Sequence, residues 1–163
     1  MTEPEHLLSE LENTRRKIME MLPKAELYRD KEIFPGWTLK EILAHMTGWD
    51  DVIIRCLHAH STGNETDTPS IRSINAYNAE VIQTCKTADY EHTRKDWESR
   101  RETLMELIRD LPADRIATPF AFPWGGTGTV ADVVKIFVHH EKSHARDITS
   151  WLKNLHQPSS EDK

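Results

Sequence analysis

Four long segments of the chain repeat apolar residues every three or four positions, the spacing that gives a helix one apolar face. They run from Glu5 to Leu22, from Thr38 to about Ala59, from Asp89 to Leu111 and from Thr129 to about Leu155. No segment alternates apolar and polar residues as a half-buried strand does, and no internal repeat is visible. The pattern therefore predicts an all-α protein.

Local signals mark where these helices begin and end. Thr38 with Glu41, and Thr129 with Asp132, are three residues apart and are typical of a capping box at the start of a helix. Proline lacks the backbone N–H that a helix interior needs, so Pro23 is expected to end the first helix. These signals support four separate helices.

The connections differ in length and composition. Residues 61–70 contain no strongly apolar side chain and predict a solvated loop, and residues 71–86 predict a weaker, minor helix. Residues 119–128, with the sequence PFAFPWGGTG, predict a turn-rich connection. The expected architecture is a four-helix bundle with a long crossover between helices two and three. A single domain would cover residues 1–156, followed by a polar tail at residues 157–163.

Composition excludes several classes of protein. The chain has 163 residues and a net charge of −6, so it lacks the excess of basic residues that a nucleic-acid-binding surface needs. No apolar run is long enough to cross a membrane, and the glutamate-containing first 25 residues do not resemble a signal peptide. Cys56 and Cys85 do not form a disulfide framework and are interpreted as buried apolar residues. These features predict a cytoplasmic protein without nucleic-acid or membrane partners.

Histidine is the unusual residue, with nine in the chain. His140 and His144 are one helical turn apart and both fall on the apolar face of the fourth helix, whereas His139 is rotated about 100° away. The run HEKSH also fits the HExxH pattern of zinc enzymes, in which Glu141 would act as a general base. Such a short string also arises by chance, so the position on the apolar face is the better evidence.

A third histidine has the same character. His45 lies on the apolar face of the second helix, between Ile42 and Trp49. Buried imidazoles need partners, so a metal ion or a hydrogen-bond network must satisfy them. Three histidines from two helices would hold one divalent ion and leave a coordination position open. The alternative is that His45 is an ordinary hydrogen-bonded core residue.

Other candidate residues are supported only by their positions. Asp50 and Glu141 are candidate catalytic carboxylates because each is near a candidate ligand in the sequence. Trp49, Phe122 and Trp124 are candidates for lining a substrate pocket over the ion. Aromatic residues at helical spacing are also typical of a core, and for Trp49 the core is favoured.

Two blocks of sequence resemble a known family. The block GWTLKEILAHMTGWDD at residues 36–51 and the block HHEKSHARDITSW at residues 139–151 are similar to the DinB-like superfamily. The resemblance implies a four-helix bundle in which His45, His140 and His144 hold a divalent ion, most often nickel or zinc. It also implies a homodimer that acts on a small-molecule substrate. Characterised branches include hydrolase-like proteins and transferases and isomerases of the maleylpyruvate-isomerase type, which use a low-molecular-weight thiol.

Three functional hypotheses follow. The first is a metal-dependent hydrolase or thiol transferase, in which the ion activates water or a thiol. The second is a metal-free binding or self-protection protein of the colibactin-resistance, DfsB-like type, which shares the bundle. Residues 69–80, PSIRSINAYNAE, lack the Trp-Asn segment expected of that branch, which favours the metal-binding hypothesis. The third is a dimeric module with a purely structural ion.

Overall fold

A computed structural model describes residues 2–156 of the chain. Four long helices form the bundle, and two shorter helices lie in its connections. The long helices are α1 (Glu3–Ala25), α2 (Leu39–Thr62), α4 (Tyr90–Asp110) and α6 (Val130–Asn154), and the short ones are α3 (Ile74–Cys85) and α5 (Ala113–Ala117). Helix α3 lies in the crossover between α2 and α4, so the predicted bundle with a long crossover is confirmed. The predicted polar tail at residues 157–163 lies outside the described residues.

The predicted helix starts are present. The carboxylate of Glu41 accepts a hydrogen bond from the backbone N–H of Thr38 at 2.9 Å, and that of Asp132 accepts one from the backbone N–H of Thr129 at 2.9 Å. Each bond satisfies a backbone donor that the first turn of a helix leaves unpaired. The chain therefore begins α2 and α6, the two helices that carry the candidate ligands, at the predicted residues.

The apolar faces meet in two clusters along the bundle. Helix α2 packs most extensively on α4, and α1 packs most extensively on α6. Trp97 and Leu104 of α4 are buried, as the helical spacing predicts. Cys56 and Cys85 are both buried free thiols, which confirms their interpretation as buried residues.

Two helix ends and one loop differ from the sequence-based prediction. Helix α1 continues through Pro23 to Ala25, because a proline in the last turn removes only one backbone hydrogen bond. Helix α2 continues to Thr62 and ends at Gly63, whose positive φ of 74° suits a residue without a side chain. The predicted loop after it contains a short 3₁₀ helix at Glu65–Asp67.

The expectation of no strands was also incomplete. Residues Phe120–Ala121 pair with Thr127–Gly128 as a two-stranded antiparallel hairpin within the turn-rich connection. Strands of two residues are too short to show alternation in the sequence, so periodicity could not reveal them.

Within the described residues, no helix is both long and apolar enough to cross a membrane.

Helix α3 docks on α2 at a glycine, and this contact is testable. A Cβ atom added at Gly48 would lie 2.7 and 2.9 Å from the two methyl groups of Val81, which is too close. We expect Gly48→Ala to lower the free energy of unfolding by about 1–3 kcal/mol, measured by urea denaturation. In a Val81→Ala background the same change should cost much less, because the remaining close contact is the Tyr77 hydroxyl at 3.3 Å and alanine favours the helix by about 1 kcal/mol. Equal destabilisation in both backgrounds would contradict this packing.

Candidate metal and substrate site

The three predicted histidines meet between α2 and α6. The Nε2 atom of His140 lies 2.9 Å from Nε2 of His45 and 3.0 Å from Nε2 of His144. A neutral ring nitrogen carries either one hydrogen or one lone pair, so three converging Nε2 atoms cannot all be satisfied by one another. Within residues 2–156, these are the side chains grouped closely enough to hold a metal ion, with their ligand atoms within 4.8 Å of one another.

Burial keeps these histidines neutral. Burial, together with the neighbouring His140 and His144, lowers the pKa of His45 to about 3. Burial and the neighbouring His144 lower the pKa of His140 to about 4, and burial also lowers the pKa of His144. Neutral imidazoles are the form that binds a metal. The donor set therefore fits a divalent ion of the zinc or nickel type.

The outer Nδ1 nitrogens of His45 and His144 face away from the cluster of Nε2 atoms. Nδ1 of His144 lies 3.4 Å from a carboxylate oxygen of Asp147, one turn further along α6. Carboxylates beside metal-binding histidines commonly fix which ring nitrogen carries the hydrogen. Nδ1 of His45 and Nδ1 of His144 are both buried, and neither has a hydrogen-bond partner among the described residues. His139 is exposed, as its rotation round the helix predicts.

A cavity of about 730 Å³ opens onto the three histidines. Two of the three predicted pocket residues, Trp49 and Trp124, contribute to its lining, and their ring centroids are 5.9 Å apart. Trp49 is also almost fully buried, so the alternative that it belongs to the core is correct as well. Its indole N–H donates to the side-chain oxygen of Asn78 at 3.0 Å. Phe122 does not contribute to this lining but packs against Trp124.

Sequence reasoning missed part of the cavity wall. Phe34 and Trp37 flank a tight turn at Pro35-Gly36, where Gly36 has a φ of 78° that favours glycine. The turn brings both aromatic rings to the cavity, and the Trp37 ring lies 5.2 Å from the His45 ring. The Pro-Gly pair was a usable signal for the turn, but not for where its flanking side chains point.

The candidate catalytic carboxylates lie elsewhere. Asp50 and Glu141 are fully buried and do not line the cavity. Asp50 accepts hydrogen bonds from Arg15 at 3.1 Å and from Arg101 at 2.9 Å, and Glu141 accepts from the same two arginines at 2.7 and 2.8 Å. Their oxygens are therefore occupied by guanidinium groups, and the structure favours a structural role over general-base catalysis.

This buried charge cluster takes one charged residue from each long helix: Arg15 of α1, Asp50 of α2, Arg101 of α4 and Glu141 of α6. Its formal charges cancel. Burial alone would raise the pKa of Glu141, but Arg101 and Arg15 outweigh it and hold that pKa below its ordinary value. The cluster thus fixes α6 at Glu141, the residue that directly follows His140 in the sequence.

The two cysteines are not placed to act as nucleophiles. Burial raises the pKa of the Cys56 thiol to about 11 and also raises that of Cys85. Neither cysteine lines the cavity. His60, which had no predicted role, is buried, and its Nε2 lies 2.7 Å from the backbone carbonyl of Arg115.

Comparison with known proteins gives the family. Residues 7–148 match the sequence profile of the DinB superfamily. The chain belongs to the DinB superfamily. The resemblance predicted from the two histidine-containing blocks is therefore confirmed. A comparison with curated protein sequences gave no match.

Solved structures share the fold of this DinB superfamily member. The mycothiol-dependent maleylpyruvate isomerase matches with a TM-score of 0.75 and 20% identity over 90% of this chain. The chain covers only 61% of that protein. YfiT from Bacillus subtilis, described as a probable metal-dependent hydrolase with an unusual four-helix bundle topology, matches with a TM-score of 0.71 and 18% identity. That match covers 97% of this chain and 91% of YfiT. At these identities the likeness shows the fold.

Proposed function

We propose that this protein is a metal-dependent enzyme in which His45, His140 and His144 hold one divalent ion, most often zinc or nickel. The observation that carries the proposal is the convergence of their three Nε2 atoms at one end of a cavity. Three histidines leave a coordination position for water or substrate. The descriptions of the structural neighbours, one metal-dependent and one mycothiol-dependent, support the same class of chemistry.

The chemistry of the ion would be activation of a nucleophile. A divalent ion lowers the pKa of a bound water or thiol, which supports either hydrolysis or transfer by a low-molecular-weight thiol. The protein's own contribution is orientation. Asp147, whose carboxylate lies 3.4 Å from Nδ1 of His144, would have to move slightly closer to accept the Nδ1 hydrogen, and the Nε2 lone pair of that ring would then be left for the ion. The aromatic walls would hold a small-molecule substrate and exclude water.

Glu141 has no direct part in this proposal. In a zinc enzyme of the HExxH type, the glutamate must reach the reacting water, and here both of its oxygens are bonded to arginines. A metal-free binding protein remains the alternative, and the apolar cavity, which does not depend on an ion, favours it. The homodimer and the cytoplasmic location implied by the sequence stay predictions.

Metal analysis of the untagged protein tests the proposal. We expect about one equivalent of zinc or nickel in the wild type after reconstitution and loss of that metal in His140→Ala, because two ligands bind far more weakly than three. His139→Ala is the matched control, since it removes the adjacent exposed imidazole, and it should retain the metal. A wild type that binds no metal would favour the metal-free alternative, and an equal loss in both variants would contradict the assignment of the three ligands.

A further inference from the structure

The walls of the cavity are mainly aromatic. Its lining includes the rings of Phe34, Trp37, Trp49, Trp124 and Phe137. A volume of about 730 Å³ is in the range of sites that bury small organic molecules. Rings of this kind stack well against flat apolar groups. The shape and the walls therefore suit a flat ligand larger than a water molecule or a simple ion.

The mouth of the cavity is apolar as well. Phe34, Ile74 and Ile136 are 40%, 53% and 42% exposed, and all three line this cavity. They account for three of the five large hydrophobic side chains that are exposed in residues 2–156. Isolated exposed apolar residues are ordinary, but a group around one concavity indicates a binding surface. They come from three separate segments, the turn before α2, helix α3 and helix α6.

Few side chains with a fixed charge line the cavity. No lysine or arginine lines it within the described part of the chain, and Asp147 is its carboxylate. The other polar side chains of the lining are Asn78, Ser143 and four histidines, of which His139 is exposed. An anionic group that entered along the walls would lose its water without gaining a fixed cationic side chain in return, which is costly. Only the end of a ligand that reaches the histidines would meet the proposed ion.

We propose that this cavity selects uncharged, flat aromatic molecules and discriminates against ligands that carry an anionic group away from the histidines. The inference names the substrate class for the proposed function and rests on it to that extent. The selection itself comes from the walls, however, so it can be measured on the protein without metal.

Isothermal titration calorimetry with two naphthalene probes tests the selection. In metal-free protein with EDTA present, we expect 2-naphthalenemethanol to bind at least about tenfold more tightly than 2-naphthalenesulfonate, which has the same ring and a negative charge. Equal or tighter binding of the sulfonate would overturn the inference, as would the absence of measurable binding of the alcohol.

A single substitution locates the effect. Ile136→Lys places a cation at the mouth on an exposed face of α6, and it should narrow the preference for the alcohol by about tenfold. Leu27→Lys is the matched control, because Leu27 is an exposed hydrophobic residue that does not line the cavity, and it should leave the ratio unchanged. The inference fails if Ile136→Lys has no effect or if both variants change the ratio equally.

The outcome is separable from that of the metal proposal. If the protein binds zinc but does not prefer the alcohol, the proposed metal site stands and the proposed substrate class is wrong. Selection for the alcohol in a protein that never retains metal would support the substrate class, with the cavity acting as a binding site alone.

Discussion

Replacing Asp50 with asparagine is expected to lower the free energy of unfolding by about 3–5 kcal/mol, measured by urea denaturation. Asparagine keeps the shape of the side chain but removes its charge. Arg15 and Arg101 would then share only Glu141, leaving an uncompensated positive charge in the centre of the bundle. The loss is large because a buried guanidinium group without a partner has lost its hydration and no ion pair compensates for that loss.

The neighbouring residue provides a matched control. Asp51 pairs with Arg100 at 2.9 Å, but both side chains are nearly half exposed. Water solvates whichever partner remains, so Asp51→Asn should lower the free energy of unfolding by no more than about 1 kcal/mol. Losses of similar size in the two variants would contradict a buried charge cluster. Retained metal binding in a folded Asp50→Asn protein would further separate this residue from the metal site.

The sequence predicted the histidine site because helical periodicity shows which residues lie on the apolar face along the whole length of a helix. His45, His140 and His144 all fell on apolar faces, and a bundle brings such faces together whatever the details of its packing. The same periodicity also places two charged residues on apolar faces. Arg15 lies four residues after Leu11, and Arg101 lies four residues after Trp97, so both arginines also occupy core positions.

Those arginines change the interpretation of the carboxylates. A charge on an apolar face must find its opposite, and two arginines at core positions require two buried acids. Asp50 and Glu141 supply them. Closeness to a histidine in the sequence suggested catalysis for both acids, whereas the balance of core charges would have indicated an ion-pair cluster.

The cavity wall could not be predicted in the same way. The part that was not predicted comes from the turn at Phe34–Trp37 and from Ile74 and Asn78 of α3, two segments without strong periodicity. Their positions depend on tertiary contacts. Val81 docks against Gly48, and the backbone N–H of Ile71 donates a hydrogen bond to the carbonyl oxygen of Pro123 at 2.7 Å. Sequence patterns describe elements, but not the angle at which one irregular segment crosses another.

Zinc is expected to stabilise the wild type by about 4 kcal/mol when its free concentration is about a thousand times its dissociation constant, and EDTA should remove that gain. The physical reason is that the ion binds the folded protein, where three ligands from α2 and α6 are already together. His45→Ala should lose the gain, because it removes the one ligand that α2 provides. The quantity compared is the increment with zinc, since removing a buried side chain also lowers the baseline stability.

His139→Ala is the control for nonspecific zinc binding and should keep the full increment. An increment in His45→Ala equal to that of the wild type would place the zinc elsewhere.

The same experiment separates a catalytic ion from a structural one. Acetohydroxamate, a small chelating probe, can add stability to the zinc-loaded protein only if the ion keeps an open position. A zinc increment that acetohydroxamate leaves unchanged would support the structural ion and contradict the proposed enzyme.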